Sequence, residues 1–295
     1  MKFVKVFDVK RFNQVAMLRT QDESGAPCVK FYFHPDGYGV CSFSIGWDND
    51  IWALDVQARR YHRLTNLDAG QGLQTITVSD DGKWFVYPLR YDKGNARKNF
   101  GKARMVFCEI AVDAEGGVKL LKRFEEEPNG PMYYEPSDIR KNPSGTYTLL
   151  YAAGSGVCMD PYEYEWSFDG ENHAGAGKAL ASTPDHEEFF TFSPSGKKIA
   201  WMRGPVSKFR YLADLYVSSP DFSGVERVTW YNDSKVWPER AKRHGCQFSR
   251  LEWNGDGTAI YFDLWIHAGP LRPFHKTELH RIDFKPTSAI PSSRR

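Results

Sequence analysis

The densest cluster of reactive side chains in this chain is Asp185-His186-Glu187-Glu188. A histidine beside carboxylates can hold a divalent cation, or it can act as a general base near neutral pH. Other polar residues stand at the start of apolar, strand-like stretches: Lys30, Gln74, Glu135 and Asp138, then His244, Gln247, Arg250 and Glu252. His186 and His244 are the candidates for a base or metal ligand. Arg250 is the candidate for neutralising an anionic substrate. A wet polar channel uses the same residue types, so a purely structural reading stands beside the chemical one.

Positive charge gathers in four separate stretches. Tyr91–Arg104 (YDKGNARKNFGKAR) carries Lys93, Arg97, Lys98, Lys102 and Arg104. RGPVSKFRY carries Lys208 and Arg210, HAGPLRPFHK carries Arg272 and His275, and PERAKRHG carries Arg240, Lys242 and Arg243. Phe100, Phe209, Tyr211 and Phe274 are interleaved with them. Guanidinium forks match carboxylate or phosphate, and aromatic rings stack on flat ligands. The candidate ligand-binding set is therefore Lys98, Arg104, Lys208, Arg210, Arg272 and His275, with Gln247 and Glu252. The alternative is a solvated surface balanced by acidic residues elsewhere.

Several familiar chemistries are excluded. Gly175-Ala176-Gly177-Lys178-Ala179 is not a phosphate-binding loop, because Asn172 replaces the first glycine and Ala179 the magnesium-binding Ser or Thr. There is no His-Glu-x-x-His, no Gly-x-Ser-x-Gly and no Cys-x-x-Cys. His275 and His280 read as surface histidines, Phe124-Glu125-Glu126-Glu127-Pro128 as a solvated connection, and Asp48 and Asp50 as turn residues. The five cysteines, Cys28, Cys41, Cys108, Cys158 and Cys246, are widely spaced and read as buried free thiols in a reducing compartment. A net charge of +2 favours no partner class, and nucleic acid is not expected. The opening MKFVKVFDVKRF lacks a signal-peptide core, and no window approaches the ~20 apolar residues of a spanning helix. The expectation is a soluble cytoplasmic protein without membrane contact, secreted or periplasmic if the chain is a fragment.

The elements that must position these residues are written in a repeated turn. Thr191 to Arg203, TFSPSGKKIAWMR, encodes strand, turn and strand. Gly196 supplies the positive φ that the turn needs, and Pro194 presets the turn and cannot donate to a ladder. Four further copies are FHPDGYGVCSF, VSDDGKWFVYP, KNPSGTYTLLY and WNGDGTAIYFD. Their glycines, Gly37, Gly82, Gly145, Gly196 and Gly257, are spaced by 45, 63, 51 and 61 residues. That period, with about four strands per unit, predicts an all-β propeller. With 15% aromatics, 25 glycines and 17 prolines, the composition agrees.

The first repeat predicts strands at Val29–His34, Gly39–Ile45, Ile51–Val56 and Tyr61–Thr65. The fourth predicts Glu188–Ser193, Lys198–Arg203, Asp214–Ser218 and Glu226–Trp230. The second spans Gly72 to Phe124 with a strand at Met105–Val112, and the third, the most irregular, spans Tyr133 to Ser182. The fifth ends after Thr277–Asp283 without an outer strand. Because a ring must close its open edge, Gln14–Thr20 is expected to fill that place. The expected architecture is five four-stranded blades in one domain, residues 1–286, with a disordered tail at 287–295; six blades is the alternative. Inner strands start at one mouth of the channel, which brings the polar residues above together there. The basic loops open on the same mouth.

The motif [FVW]-[SN]-x-[DS]-G, followed by an apolar strand and then D-[IL]-[WY]-x-x-[DS], resembles the TolB-type, WD-repeat-like β-propellers over nearly the whole chain. Arg203-Gly204-Pro205 and Ala268-Gly269-Pro270, in loops after second strands, are similar to the oligogalacturonate lyase branch. That resemblance implies a metal held by several histidines and a glutamine near the axis. This chain departs from it, offering His244, Gln247, Arg250 and Glu252 without clustered histidines, so the metal is unassigned: a divalent ion is compatible and not required. The leading expectation is a binding module whose basic, aromatic-bearing mouth takes an anionic saccharide or a protein partner. The alternatives are a lyase or hydrolase of acidic oligosaccharides and a purely structural interaction propeller.

Overall fold

The computed structural model describes residues 52–55, 60–65, 76–90, 102–112, 118–155, 158–169, 172–206, 212–233, 235–236, 246–266 and 276–284. The first-repeat strands before Trp52, the closing strand Gln14–Thr20 and the 287–295 tail lie outside these residues. Among them every regular element is a β-strand, so no helix is long and apolar enough to cross a membrane.

Among the described residues five sheets follow one another in chain order. The first pairs β1 (Trp52–Asp55) with β2 (Arg60–Arg63). The second is β3 (Thr77–Val78), β4 (Trp84–Arg90), β5 (Ala103–Val112) and β6 (Val118–Glu126). The third is β7 (Tyr133–Lys141), β8 (Tyr147–Gly154), β9 (Met159–Asp169) and β10 (Asn172–Ala179). The fourth is β11 (Asp185–Phe192), β12 (Ile199–Pro205), β13 (Asp214–Ser218) and β14 (Glu226–Arg227). The fifth is β15 (Cys246–Trp253), β16 (Ala259–Ile266) and β17 (Lys276–Asp283). Each sheet is an antiparallel meander, and β3, β7, β11 and β15 are the inner strands, each beside the next. This is a β-propeller. The third repeat, expected to be the most irregular, is a full four-stranded blade with strands of 8 to 11 residues.

The repeated turn works as its composition requires. Gly82, Gly145, Gly196 and Gly257 have φ of 69°, 89°, 66° and 71°, where a Cβ is strained. The Ser or Asn three residues earlier closes the turn with its side chain. Ser79 Oγ accepts from the Trp84 amide at 2.9 Å, Ser193 Oγ from Lys198 at 3.0 Å and Asn254 Oδ1 from Ala259 at 2.8 Å. The aspartate that opens the D-[IL]-[WY] strand has a similar local task. Asp214, buried on β13, accepts from Thr229 Oγ1 and the Tyr231 amide and pairs with Arg227. It thereby ties down a fourth strand only two residues long.

Aromatic side chains fill the spaces between blades. Trp84, Phe107, Phe124, Tyr147, Tyr164 and Trp166 form one cluster between the second and third sheets. Tyr133, Phe190, Phe192 and Trp201 join the third to the fourth, and Phe248, Trp253, Phe262 and Leu215 the fourth to the fifth. Burying such rings is the main force holding blades together. Cys108 and Cys246 are buried free thiols and Cys158 is half-buried; burial pushes Cys108 up to about 12.

Three local expectations are corrected. Gly204-Pro205 ends strand β12 instead of lying in the loop after it. A Cβ at Gly204 would meet the Leu212 carbonyl oxygen at 1.7 Å, so glycine there allows close chain approach. Glu125 and Glu126 belong to β6, with Glu125 paired to Arg104 and Lys122 and Glu126 to His173, so the acidic run is not a free connection. His280 is no surface histidine: its Nδ1 meets Tyr231 Oη at 2.9 Å and its Nε2 meets Glu278 at 2.8 Å.

Candidate functional site

The inner strands carry the same irregularity at the same level. Register slips between Pro136 and Asp138 in β7, between Glu188 and Thr191 in β11 and between Ser249 and Glu252 in β15. Such bulges re-aim the side chains beside them. In β11 the bulge holds Phe189 at φ 57°, an uncommon conformation for a non-glycine residue.

Just ahead of that bulge lies a buried polar group. His186 and Glu188 alternate with Glu187 and so share one face of β11. His186 Nε2 stands 2.9 Å from Glu188 Oε1, with the two residues only 4% and 8% exposed. Glu135, buried on the neighbouring β7, hydrogen-bonds to Glu188, and Tyr133 donates its hydroxyl to Glu135 Oε1 at 3.3 Å. Burial pushes Glu188 up, but the His186 charge and the hydrogen bonds from His186 and Glu135 outweigh it, leaving the carboxyl below its ordinary value. The arrangement can hold, give or accept a proton, with the imidazole fixed by a carboxylate.

The opposite face of β11 is built differently. Glu187 is 1% exposed and accepts from Trp201 Nε1 and Thr183 Oγ1, both at 3.2 Å. Burial raises its pKa despite the nearby Arg203. Arg203 bonds Asp185 at 2.8 Å, so its charge is already matched.

Of the residues expected to act chemically, His186 is placed in this group. His244 lies outside the described residues. Gln247 and Arg250 have their backbone in β15, Arg250 at the bulge, with side chains outside the described residues. Glu252 is half-buried on the same strand. The ligand-binding candidates Lys98, Lys208, Arg210, Arg272 and His275 also lie outside the described residues. Arg104 is corrected: it sits in β5, not in a loop, and pairs with Glu125 at 2.6 Å. Asp138 is corrected too. It accepts from the Phe192 amide at 2.9 Å and Thr191 Oγ1 at 3.2 Å, which makes it a tie between blades. Sequence reasoning brought Glu135 and the Asp185–Glu188 cluster to one mouth, but it missed Tyr133, whose contact with Glu135 carries no motif.

Among the described residues no group of three His, Cys, Asp or Glu side chains is arranged to hold a metal. His186 and Glu188 turn their donor atoms on each other, which is not the histidine-and-glutamine set that the lyase resemblance implies.

No family model matches the sequence, and no curated protein matches it. Solved structures do. A TolB from Agrobacterium tumefaciens, described as putative, superposes with a TM-score of 0.51 at 15% identity, over 80% of this chain and 70% of that one. An ulvan lyase of a polysaccharide lyase family, bound to -[GlcA(1-4)Rha3S]-, gives 0.51 at 9% identity over 92% and 64%. An oligogalacturonate lyase from Vibrio parahaemolyticus gives 0.41 at 10% identity over 84% and 61%. The chain thus spans less than two thirds of both lyases. At these identities the likeness is one of fold: the protein has a β-propeller architecture.

Proposed function

We propose that the chain is a binding module that takes an anionic saccharide at the mouth of its propeller. The observation that carries this reading is topological. Asp185 lies opposite Pro205 and Cys246 opposite Ile266, so inner strands begin where second strands end. The stretches with Lys98, with Lys208 and Arg210, and with Arg272 and His275 join β4 to β5, β12 to β13 and β16 to β17 at that same end. Three blades thus direct their basic connections to the end where His186 sits. The test is to titrate acidic and neutral oligosaccharides of equal length at two salt concentrations. Preference for the acidic ligand, weakening as salt rises, is expected. Equal affinity for both, or no salt dependence, overturns the reading in favour of a protein-interaction propeller.

A second reading, a lyase or hydrolase of acidic oligosaccharides, is favoured by the His186–Glu188–Glu135 group. There His186 is the base, Glu188 orients it, and Arg250 neutralises the substrate carboxylate. Product formation lost in His186→Ala, with saccharide binding retained, distinguishes it from a binding module. We also take the ring to be five four-stranded blades, with Gln14–Thr20 beside β17. The support is that, among the described residues, β17 ends a sheet of three strands where the three sheets before it hold four. A disulfide engineered between these two strands tests it, and failure to form overturns the closure.

A further inference from the structure

Strand β10 differs from every other outer strand among the described residues. All eight of its residues, Asn172 to Ala179, are exposed, and it pairs with β9 on one side only. Sheets ordinarily protect such an edge with charge, bulges or brevity. The other outer strands here do so. β6 carries Lys119, Lys122, Arg123, Glu125 and Glu126 over nine residues and faces a bulge in its ladder to β5. β14 is two residues long and β2 four. β17 carries Lys276, Glu278, Arg281 and Asp283. β10 reads Asn-His-Ala-Gly-Ala-Gly-Lys-Ala: it is eight residues long without a bulge, and its one lysine, Lys178, is tied to Glu163 on β9 at 3.1 Å.

The strand is also held flat. A Cβ at Gly175 would meet Tyr164 Oη at 2.0 Å, and one at Gly177 would meet Pro128 at 2.8 Å. Its glycines therefore let it lie down on the aromatic floor between the second and third blades. His173 stacks on Phe124 at 4.1 Å and bonds Glu126 at 2.7 Å, which pins the start of the strand. Leu180 donates to the Pro161 carbonyl at 3.0 Å, and alternation from there fixes which groups face β9. Asn172, Ala174, Ala176 and Lys178 bond inward. His173, Gly175, Gly177 and Ala179 turn their N–H and C=O groups outward.

We propose that β10 is a dimerisation edge, pairing antiparallel with β10 of a second copy about a twofold axis at Ala176, so that two four-stranded blades become one continuous sheet. Three observations choose this occupant. The outward-facing residues are symmetric about Ala176, so His173 meets Ala179 and Gly175 meets Gly177, and this register leaves none of the four unused. Charge fits as well. The ionisable residues of β10 are His173 and Lys178, with no acid among them. Both already have partners in their own chain, His173 on Glu126 and Lys178 on Glu163, so the edge brings no unmatched charge that would repel a second copy. Lys178 of each copy lies opposite Ala174 of the other, so no like charges face one another. A twofold contact also closes on itself, which stops growth into a fibre.

An edge-to-edge contact of this length is small, so a weak, concentration-dependent dimer is expected. Sedimentation velocity over roughly two decades of concentration, up to about 1 mM, reads it. Ala176→Lys and Ala176→Glu each place like charges opposite one another at the axis. Each variant alone should dimerise about tenfold more weakly, and an equimolar mixture of the two should recover. Ala179→Pro removes an outward donor while leaving the bonds of Lys178 and Leu180 to β9, and it too should weaken the dimer. Melting of dilute protein checks that each variant is folded. A monomer at every concentration, single-charge variants that dimerise like the wild type, or a mixture that does not recover overturns the proposal.

Discussion

At the scale of single residues, the turn glycines separate backbone strain from crowding. Gly145 at φ 89° has nothing within 4 Å of an added Cβ, so Gly145→Ala tests conformation alone. At Gly196 an added Cβ meets Arg140 Nη1 at 2.4 Å, while Arg140 donates to the Gly196 carbonyl at 3.0 Å and lies over the Phe192 ring at 4.4 Å. Gly196→Val should therefore destabilise by about 1–3 kcal/mol, and more than Gly145→Ala, in thermal melts. An unchanged melt would contradict the turn. Glu188 makes a pH prediction. Its folded pKa lies below the ordinary 4.5, so its contribution is present above that value and lost as pH falls through the folded one. Glu188→Gln should lose about 1–3 kcal/mol at neutral pH, because buried His186 loses its carboxylate partner. Denaturation at pH 7 and pH 3 should show the deficit shrinking in acid.

At the scale of elements, the blades differ in how their outer strands are held. β10 is fastened by eight ladder positions on β9, whereas β14 has two on β13. Asp214 does the remaining work in the fourth blade through Thr229, Tyr231 and Arg227. Asp214→Ala should cost about 2–3 kcal/mol, because it leaves a buried hydroxyl and a charged group without their acceptor. Hydrogen exchange should show amides near Val228 to Tyr231 losing protection before those of β12. Equal loss across the blade would mean that the aspartate does not act locally.

At the scale of the whole molecule, the proposed mouth draws on loops far apart in sequence. Lys98, Arg210 and Arg272 belong to three different blades. Each exposed ion pair with a ligand contributes about 0.2–1 kcal/mol. The triple change to alanine should weaken acidic-saccharide binding by roughly one to two decades, at about 1.4 kcal/mol per decade. The fold should stay intact, because connections between strands tolerate substitution better than the strands do. Isothermal titration alongside a melt checks both parts, and unchanged affinity removes these loops from the site.

The amino-acid sequence by itself determined the architecture, because the turn is a local problem. Gly82, Gly145, Gly196 and Gly257 adopt positive φ, and Ser79, Ser193 and Asn254 close their turns within five residues. Those interactions recur wherever the same five letters recur. Tertiary structure alone decided which polar residues meet. Glu135 and Glu188 come from different blades and meet because β7 packs beside β11, while Asp138, read as part of the same polar ring, ties the blades together instead. Arg104 and His280 look like free charged or titrating groups in the sequence, yet neighbouring strands supply Glu125 and Tyr231 to hold them. Such partners follow from register and inter-blade packing, and neither is encoded within any window shorter than a blade.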